Sequence, residues 1–307
     1  MINIVFYGTD EFAAAILQRI CATGDFNVLA VITQPDRPSG RNHEIVFSAV
    51  KTVALANSLP VLQPDTLKRF ESDLLSQADL GVVAEYGLII PERLLSLPRY
   101  GTINLHGSLL PKYRGASPIQ ASILNGEPQA GVTLMLMDKQ MDHGPIISTI
   151  STPIDENELF LPLYYRLAQL AADLFLRDIN SYISGVLKPE PQDDSAATYC
   201  TILNRDDGKI DFAKTGASIY NQYRAFTPWP GLWAIYGGKR VKLGEISPIR
   251  GSNLSPGTVS AENGRIYIGC GGNTAIEAKQ LQMEGKKMLS ASDFLRGERD
   301  FGNCQFA

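Results

Sequence analysis

The first half of the chain alternates apolar runs of strand length with amphipathic segments of helix length. The predicted strands cover residues 2–7, 27–33, 79–84 and 103–106, and the predicted helices 10–23 and 47–57. A strand, a helix and a second strand in succession form the unit from which parallel sheets with helices on both faces are built. This alternation therefore predicts an α/β fold around a mostly parallel sheet.

The pattern continues to about residue 187, with strands predicted at 131–137 and 145–154 and a helix at 159–184. A polar tract that two prolines interrupt comes next, which is typical of a linker. Beyond it, a helix over 210–225 and several short strands with glycine-rich turns predict a small barrel. The predicted organisation is a domain at 1–187, a linker at 188–206 and a domain at 207–307.

Composition places the chain among ordinary globular proteins. Its 307 residues, of which 44% are hydrophobic, are enough for two cores. No basic region followed by an apolar stretch opens the sequence, and charges interrupt the longest helical run, so we expect no secretion signal and no membrane span, and predict a cytoplasmic protein. Its four cysteines and three histidines show no spacing typical of zinc sites or disulfides.

Charge is unevenly distributed along the sequence. Residues 205–307 contain 14 Lys and Arg against 10 Asp and Glu, a net charge of +4, whereas residues 1–204 contain 14 against 22, a net charge of −8. A basic second domain suits a polyanionic partner. Charge alone supports a polyanionic partner and its alternative equally. The alternative is that an excess of this size lies within the ordinary variation of net charge among small domains.

The most distinctive motif runs from Asn104 to Pro111, where an amide and an imidazole stand two residues apart at the end of a predicted strand. Side chains at such spacing share one face of the strand. The carboxyl ends of parallel strands open onto the crevice in which α/β proteins bind ligands. Each residue alone has a structural alternative, as a turn residue or a hydrogen-bonding partner. Asn104 and His106 together favour acyl-group chemistry.

Six segments resemble the folate-dependent formyltransferases, and among these the enzymes that act on methionyl-tRNA. They are residues 8–13, 33–41, 104–111, 112–120, 141–144 and 224–231, so that the resemblance covers nearly the whole chain. It implies a Rossmann-like first domain and a second domain of OB-like barrel type. It also implies transfer of the formyl group of 10-formyltetrahydrofolate, through a tetrahedral intermediate, to the amino group of methionine on initiator methionyl-tRNA.

The resemblance also implies roles for individual residues. Asn104 would donate a hydrogen bond to the developing oxyanion. His106 would accept the amine proton or, if protonated, share in binding the oxyanion, and Asp142 would orient the imidazole and stabilise its cationic form. No metal is expected. The folate would be held by two loops, comprising Ser108, Leu109, Leu110, Pro111, Tyr86, Gly87 and Leu88.

The sequence departs from the resemblance in the 34–45 loop expected to contact tRNA, which has Asn-His-Glu where basic residues are usual. Arg41 is the strongest candidate in that loop. The other expected phosphate contacts are Arg37, Lys112, Arg114, Lys239, Arg240, Lys286 and Lys287. No stable protein partner is implied, and a monomer is expected.

Several further positions depart from the usual pattern or have two interpretations. Glu85 stands where a small residue is usual, Asp10 replaces a proline, and His143 follows Asp142 and is able to compete for its carboxylate. Phe226, Trp229 and Trp233 are predicted to be core residues, the alternative being an exposed ring that stacks on a base.

Three other functions remain open from the sequence. The same catalytic set would serve a transferase whose acceptor is a nucleotide-linked amino sugar. It would also serve a folate-dependent hydrolase, which releases formate without an acceptor. The third alternative is a tRNA-binding module without catalysis, which would bind tRNA and show no turnover. The intact trio of Asn104, His106 and Asp142 argues against it.

Overall fold

A computed structural model describes residues 1–39 and 44–306, which divide into two compact units. The first consists of residues 1–118, 129–153 and 162–201, and the second of residues 119–128, 154–161 and 202–307. Two short segments that the sequence places in the first domain thus belong to the second unit. The domain limits at 187 and 207 stay a prediction.

The first unit is built around a seven-stranded sheet. The strands of this unit are β1 (Ile2–Tyr7), β2 (Phe26–Ile32), β3 (Arg37–Ser39), β4 (Glu44–Val46), β5 (Val61–Leu62), β6 (Leu80–Val83), β7 (Thr102–His106), β8 (Arg114–Gly115), β9 (Gln129–Leu136), β10 (Ile146–Pro153) and β11 (Tyr199–Cys200). The helices of the chain are α1 (Glu11–Thr23), α2 (Ala49–Ala56), α3 (Asp73–Ser76), α4 (Glu92–Leu95), α5 (Pro118–Leu124), α6 (Phe160–Ile183), α7 (Gly216–Phe226) and α8 (Ala291–Gly297).

The order of strands in this sheet is β10-β9-β7-β6-β1-β2-β5. Strands β5, β2, β1, β6 and β7 pair in parallel, whereas β9 runs antiparallel to both β7 and β10. The mostly parallel sheet predicted from the sequence is confirmed. Because β1, β6 and β7 are parallel neighbours, the loops that follow them meet at one edge of the sheet.

Helix α1 starts directly after β1, which brings its first turn to that same edge. Asp10 caps the helix by accepting a hydrogen bond from the Ala13 backbone N–H at 3.2 Å. Gly8 makes the close approach possible, since a Cβ there would lie 2.5 Å from the Ala13 Cβ and 3.0 Å from the Ala84 carbonyl oxygen. The apolar face of α1, comprising Phe12, Ala13, Ile16, Leu17 and Ile20, is buried.

The tract predicted as a linker is packed onto the first unit over much of its length. Glu190 exchanges two backbone hydrogen bonds of 2.8 Å with Ile146, and β11 pairs in parallel with β8. The first unit therefore extends to residue 201. Prolines and polar residues gave this stretch the composition of a free linker, although its backbone forms pairs with distant strands.

The second unit contains an antiparallel sheet of order β12-β13-β16-β15-β14, and the short strands predicted for this half of the chain are present in it. Its strands are β12 (Leu232–Tyr236), β13 (Lys239–Arg250), β14 (Val259–Glu262), β15 (Arg265–Cys270), β16 (Thr274–Met283) and β17 (Leu289–Ser290). The Gly237-Gly238 hairpin is confirmed, with φ of 54° and 76° at its two glycines. Closure of the sheet into an OB-like barrel stays a prediction.

The prediction that the helix of the second unit begins at residue 210 is wrong. It begins at Gly216, after the cap at Thr215, because residues 209 and 215 form isolated bridges with Trp233 and Gly271 and the chain between them is not helical. Phe226 and Trp233 are buried as predicted, whereas Trp229 is 54% exposed and is not a core residue.

Within the described residues, no helix is both long and apolar enough to cross a membrane.

Candidate active site

Three side chains predicted as catalytic lie together at the carboxyl edge of the parallel strands. Asn104 and His106 occupy alternate positions on β7 and are 9% and 6% exposed. Asp142 lies in the turn between β9 and β10, and its Oδ1 is 3.4 Å from Asn104 Nδ2 and 3.7 Å from His106 Nδ1. The three residues, which are up to 38 positions apart in the chain, therefore form one cluster.

The contacts of His106 fix which ring nitrogen carries the proton in the neutral form. Nε2 lies 2.9 Å from the backbone carbonyl oxygen of Tyr113, which is able only to accept a hydrogen bond. Nε2 must therefore be the donor, and in the neutral imidazole Nδ1 has the free lone pair. Nδ1 is the nitrogen nearest Asp142. A proton arriving at Nδ1 would create an imidazolium ion beside a carboxylate, which stabilises it.

Asp142 is held in an uncommon backbone conformation. Its φ of 49° lies in the left-handed region. Its Oδ2 accepts a hydrogen bond of 2.8 Å from the Gly115 backbone N–H, and its own carbonyl oxygen accepts one of 2.9 Å from Gln192 Nε2. Close packing makes glycine necessary nearby, since a Cβ on Gly144 would lie 1.9 Å from the Leu136 carbonyl oxygen.

Glu85 adds a carboxyl group to this edge of the sheet, after β6. Its φ is 40°, again in the left-handed region. Burial raises the pKa of Glu85 to about 8, and the negative charges of Asp10 and Asp142 add to the rise. Burial also raises the pKa of Asp10, against the opposing effect of the hydrogen bonds that it accepts from Ala13 and Tyr164. The raised pKa favours the neutral form of the Glu85 carboxyl group, which is able to donate a hydrogen bond.

Replacing Glu85 by glutamine is expected to make stability less dependent on pH. The natural carboxyl group has a pKa of about 8 when folded and 4.5 as its ordinary value, so its contribution to the free energy of unfolding is full below 4.5 and is lost as pH rises through 8. Glutamine does not titrate. The free energy of unfolding of Glu85→Gln minus that of the natural chain, measured by urea unfolding, should therefore rise by at least about 1 kcal/mol between pH 5.5 and pH 9. A difference that stays constant over this interval would contradict the raised pKa.

The predicted folate loop is held rigidly by internal hydrogen bonds. Ser108 is fully buried, and its Oγ donates to the Lys112 carbonyl oxygen at 2.7 Å. Thr133 Oγ1 donates to the Ser108 carbonyl oxygen at 2.7 Å and accepts from the Leu110 N–H at 3.1 Å. Leu109 and Pro111 are half-buried. The hydroxyl group of Ser108 thus has a structural role in this loop, and the half-buried apolar side chains remain as the surface for a ligand.

The second predicted folate segment, residues 86–88, also contains a buried supporting residue and more exposed ones. The Tyr86 ring is buried in the core, and the Tyr86 carbonyl oxygen accepts hydrogen bonds from Thr9 Oγ1 at 3.1 Å and Gln34 Nε2 at 2.9 Å. Gly87 is exposed with a φ of 76°, and Leu88 is half-buried. Gly87 is therefore accessible and Leu88 partly so, whereas Tyr86 supports the loop from within.

Arg114, predicted as a phosphate contact, requires correction. It is only 2% exposed, and its guanidinium donates to Gln192 Oε1 at 2.9 and 3.0 Å and to Asp194 Oδ1 at 2.8 Å. These internal partners occupy the donors that a phosphate would need. Arg114 is a structural residue beside the catalytic cluster.

His143 pairs with a different carboxylate from the one considered in the sequence. Its Nδ1 lies 2.6 Å from Asp138 Oδ2, and its Nε2 lies 3.5 Å from Asp194 Oδ2. The hydrogen bond with Asp138 raises the pKa of His143. His143 therefore connects the turn that contains Asp142 with the segment after α6.

Most of the predicted phosphate contacts lie on the surface. Arg37 and Lys112 are exposed in the first unit, while Arg41 lies outside the described residues. In the second unit, the Glu284 N–H donates to the Arg240 carbonyl oxygen and the Arg240 N–H donates to Glu284 Oε2, which places the Gly237-Gly238 hairpin beside the turn at 284–287. Lys239, Lys286 and Lys287 are exposed at these two turns, Lys286 in an ion pair with Glu298.

Arg240 differs from these lysines in its surroundings. It is half-buried, with its guanidinium 3.8 Å from the centre of the Trp233 ring. In the described part of the chain, no group of three His, Cys, Asp or Glu side chains is arranged to hold a metal ion.

Comparisons with known proteins identify the relatives of this chain. The family model described as "Formyl transferase" matches residues 1–179, and "Formyl transferase, C-terminal domain" matches residues 202–299. Methionyl-tRNA formyltransferase of Acidobacterium capsulatum is 41% identical over 300 residues, covering 96% of each chain. The protein of that name from Geobacillus thermodenitrificans is 41% identical over 303 residues, covering 97% of this chain and 94% of its own.

Solved structures show the same fold at lower identity. WlaRD, a sugar 3N-formyl transferase solved in the presence of dTDP and 5-N-formyl-THF, has a TM-score of 0.66 at 23% identity, covering 94% of this chain and 99% of its own. HypX from Aquifex aeolicus in complex with tetrahydrofolic acid has a TM-score of 0.61 at 17% identity, covering 98% of this chain and 48% of its own. With two family models matched and relatives 41% identical over nearly their whole length, the chain belongs to the methionyl-tRNA formyltransferase family.

Proposed function

We propose that this protein transfers the formyl group of 10-formyltetrahydrofolate to the amino group of methionine on initiator methionyl-tRNA. The observation that carries the proposal is the cluster of Asn104, His106 and Asp142 at the edge of the sheet, within 3.4 to 3.7 Å of one another through Asp142. An amide donor, a base with one free nitrogen and a carboxylate are the groups that acyl transfer to an amine requires.

Asn104 and His106 have separate tasks in this reaction. The amine nitrogen attacks the formyl carbon, and negative charge develops on the formyl oxygen. The Asn104 Nδ2 group donates a hydrogen bond to that oxygen, which stabilises the tetrahedral intermediate. His106 Nδ1 takes the proton that the amine loses. Collapse of the intermediate breaks the bond to N10 of the folate, which leaves with a proton returned by the His106 imidazolium.

Asp142 and Glu85 set the electrostatics of this exchange. The Asp142 carboxylate faces His106 Nδ1 and stabilises the imidazolium that exists between the two proton transfers. Glu85, whose pKa is raised to about 8, stays neutral at pH 7 and adds no second negative charge beside the developing oxyanion. A neutral carboxyl group also donates a hydrogen bond, which suits the acceptor nitrogens and carbonyl of a pterin.

The folate is assigned to the two loops at the sheet edge. Gly87 and Leu88 supply accessible backbone for the pterin, and Leu109 and Pro111 supply half-buried apolar contacts. Ser108 and Leu110 keep the second loop in shape through their hydrogen bonds with the Lys112 carbonyl oxygen and Thr133. The pterin site therefore requires two rigid loops, and few side chains of these loops are available to form hydrogen bonds with the pterin.

The second unit is assigned a role in holding the tRNA, through the lysines at its two neighbouring turns. The double change Lys239→Ala and Lys287→Ala is expected to weaken tRNA binding severalfold, and to reduce the slope of log affinity against log salt by about one unit for each lost contact. Turnover at saturating tRNA should not change. The matched control is Lys209→Ala with Lys214→Ala, which removes two exposed lysines elsewhere in the same unit. An equal effect of both pairs would contradict a local contact.

The remaining parts of the proposal concern cellular context. We expect the protein to act as a monomer, without a stable protein partner. Charged initiator tRNA is used in the cytoplasm, which is where we place the activity.

The direct test is incubation of the protein with 10-formyltetrahydrofolate and each of three acceptors: initiator methionyl-tRNA, elongator methionyl-tRNA and a nucleotide-linked amino sugar. Acid-gel separation of the tRNAs and chromatography of the sugar would reveal formylation. We expect formylation of the initiator at the highest kcat/KM. Formylation of the sugar alone would overturn the acceptor, and release of formate without any acceptor would identify a hydrolase. Binding of tRNA with no turnover would leave only a binding module.

A further inference from the structure

The segment after α6 forms a partly buried hydrogen-bond network with the turn that contains Asp142. Gln192 Nε2 donates to the backbone carbonyl oxygens of Asp142 at 2.9 Å and Gly144 at 2.7 Å. Gln192 Oε1 accepts two hydrogen bonds from the buried Arg114 guanidinium, one from Nε and one from Nη2. The amide group thus uses its donors and its acceptor at the same time, so its orientation is fixed.

The same segment reaches the catalytic residues by a second route. Strand β11 pairs with β8, and the Cys200 carbonyl oxygen accepts a hydrogen bond from the Ala116 N–H at 3.3 Å. This pairing sets the position of Gly115, whose N–H holds Asp142 Oδ2. A Cβ at Gly115 would lie 2.0 Å from the Cys200 carbonyl oxygen, so the two strands are in close contact.

We propose that Gln192 is a positioning residue for formyl transfer, acting through the backbone carbonyl groups of Asp142 itself and of Gly144, two residues further on. This inference rests on the catalytic role proposed for Asp142. The φ of 49° at Asp142 is uncommon for a residue other than glycine and persists only where neighbouring contacts hold it. The two bonds from Gln192 hold the carbonyl groups at residues 142 and 144, and the bond from Gly115 holds the carboxylate. Together they fix the distance from Asp142 Oδ1 to His106 Nδ1.

The decisive variant is Gln192→Glu. A carboxylate at this position still accepts from Arg114, with an added charge attraction, but its second oxygen faces two carbonyl oxygens and has no proton to donate. The turn around Asp142 therefore loses its support while the contact with Arg114 remains. We expect kcat to fall by about ten- to a hundredfold, as for misplacements of about 1 Å. The KM values for 10-formyltetrahydrofolate and methionyl-tRNA should stay within about twofold. Gln140→Glu is the matched control, since it makes the same change at an exposed position of the same turn.

A double-mutant cycle with Asp142→Asn separates positioning from general support of the fold. If Gln192 acts through Asp142, Gln192→Glu should lower kcat no further in the Asp142→Asn protein. Urea unfolding of each variant gives the folded fraction to which kcat is referred, so loss of folding is not counted as loss of turnover. Equal losses in both backgrounds, or an unchanged kcat in Gln192→Glu beside an impaired Asp142→Asn, would overturn this inference alone. An unchanged kcat in Asp142→Asn would overturn the catalytic assignment as well.

Discussion

Replacing His106 by alanine is expected to lower kcat for formyl transfer by about a hundred- to ten-thousandfold, the usual contribution of a positioned acid–base group. The reason lies in the two ring nitrogens. Nε2 is committed to the Tyr113 carbonyl oxygen, so Nδ1 alone is available to take the amine proton. Without it the proton must pass to water, and Asp142 has no imidazolium to stabilise. Affinity for tRNA should change little.

A second substitution separates this chemical role from the structural one. Glutamine has an amide nitrogen able to occupy the position of Nε2 and to donate to the Tyr113 carbonyl oxygen, but it has no base in place of Nδ1. We therefore expect His106→Gln to unfold in urea near the midpoint of the natural protein while its kcat is as low as that of His106→Ala. If His106→Gln recovered most of the turnover, the hydrogen bond with Tyr113 would be the important contact and the base would have to be sought elsewhere.

The proximity of Asn104 and His106 is predictable from the sequence because its signals are local. Two side chains of β7 at period-two spacing must share a face, and the alternation of strands and helices places the end of β7 at the edge where ligands bind. Asp142 was connected to them only by resemblance. The structure brings it within 3.7 Å of His106, through the antiparallel pairing of β9 with β7.

The support of the site was not predictable, because it depends on contacts between distant parts of the chain. Arg114 is a basic residue next to a glycine, and such a residue is expected to be an exposed charge. In the structure Arg114 is buried, and its partner Gln192 lies 78 residues away in the chain. Gln192 in turn stands in a tract whose prolines and charges are typical of a linker. Neither composition nor periodicity reports such a pairing.

The exposure of aromatic residues shows the same limit. Phe226, Trp229 and Trp233 lie within eight positions of one another, and hydrophobicity predicts the same fate for all three. Phe226 belongs to α7 and Trp233 to β12, and both are buried by the elements that contain them. Trp229 lies in the turn between these elements and is 54% exposed. Its position in a turn, rather than its side chain, decides the outcome.

Replacing Asn104 by alanine is expected to lower kcat by about a hundred- to a thousandfold, the cost of losing one oxyanion donor. The KM for 10-formyltetrahydrofolate should stay nearly constant, because the formyl oxygen is a weak acceptor in the ground state and a strong one only when it becomes negative. The residue is buried beside Asp142, so its amide is held in a site with little water. The effect should therefore be large, since such donors are worth most where solvent is excluded.

Two comparisons make the Asn104 prediction specific. Asn104→Asp has nearly the same shape but places a carboxylate beside Asp142 and the developing oxyanion, so its kcat should be no higher than that of Asn104→Ala. Asn180→Ala, at an exposed position of α6, removes an amide from the same unit and should leave kcat unchanged. The measurement is steady-state formylation of initiator methionyl-tRNA over a range of folate concentrations. A raised KM with an unchanged kcat would show that Asn104 binds the folate in its ground state, and the oxyanion would then need another donor.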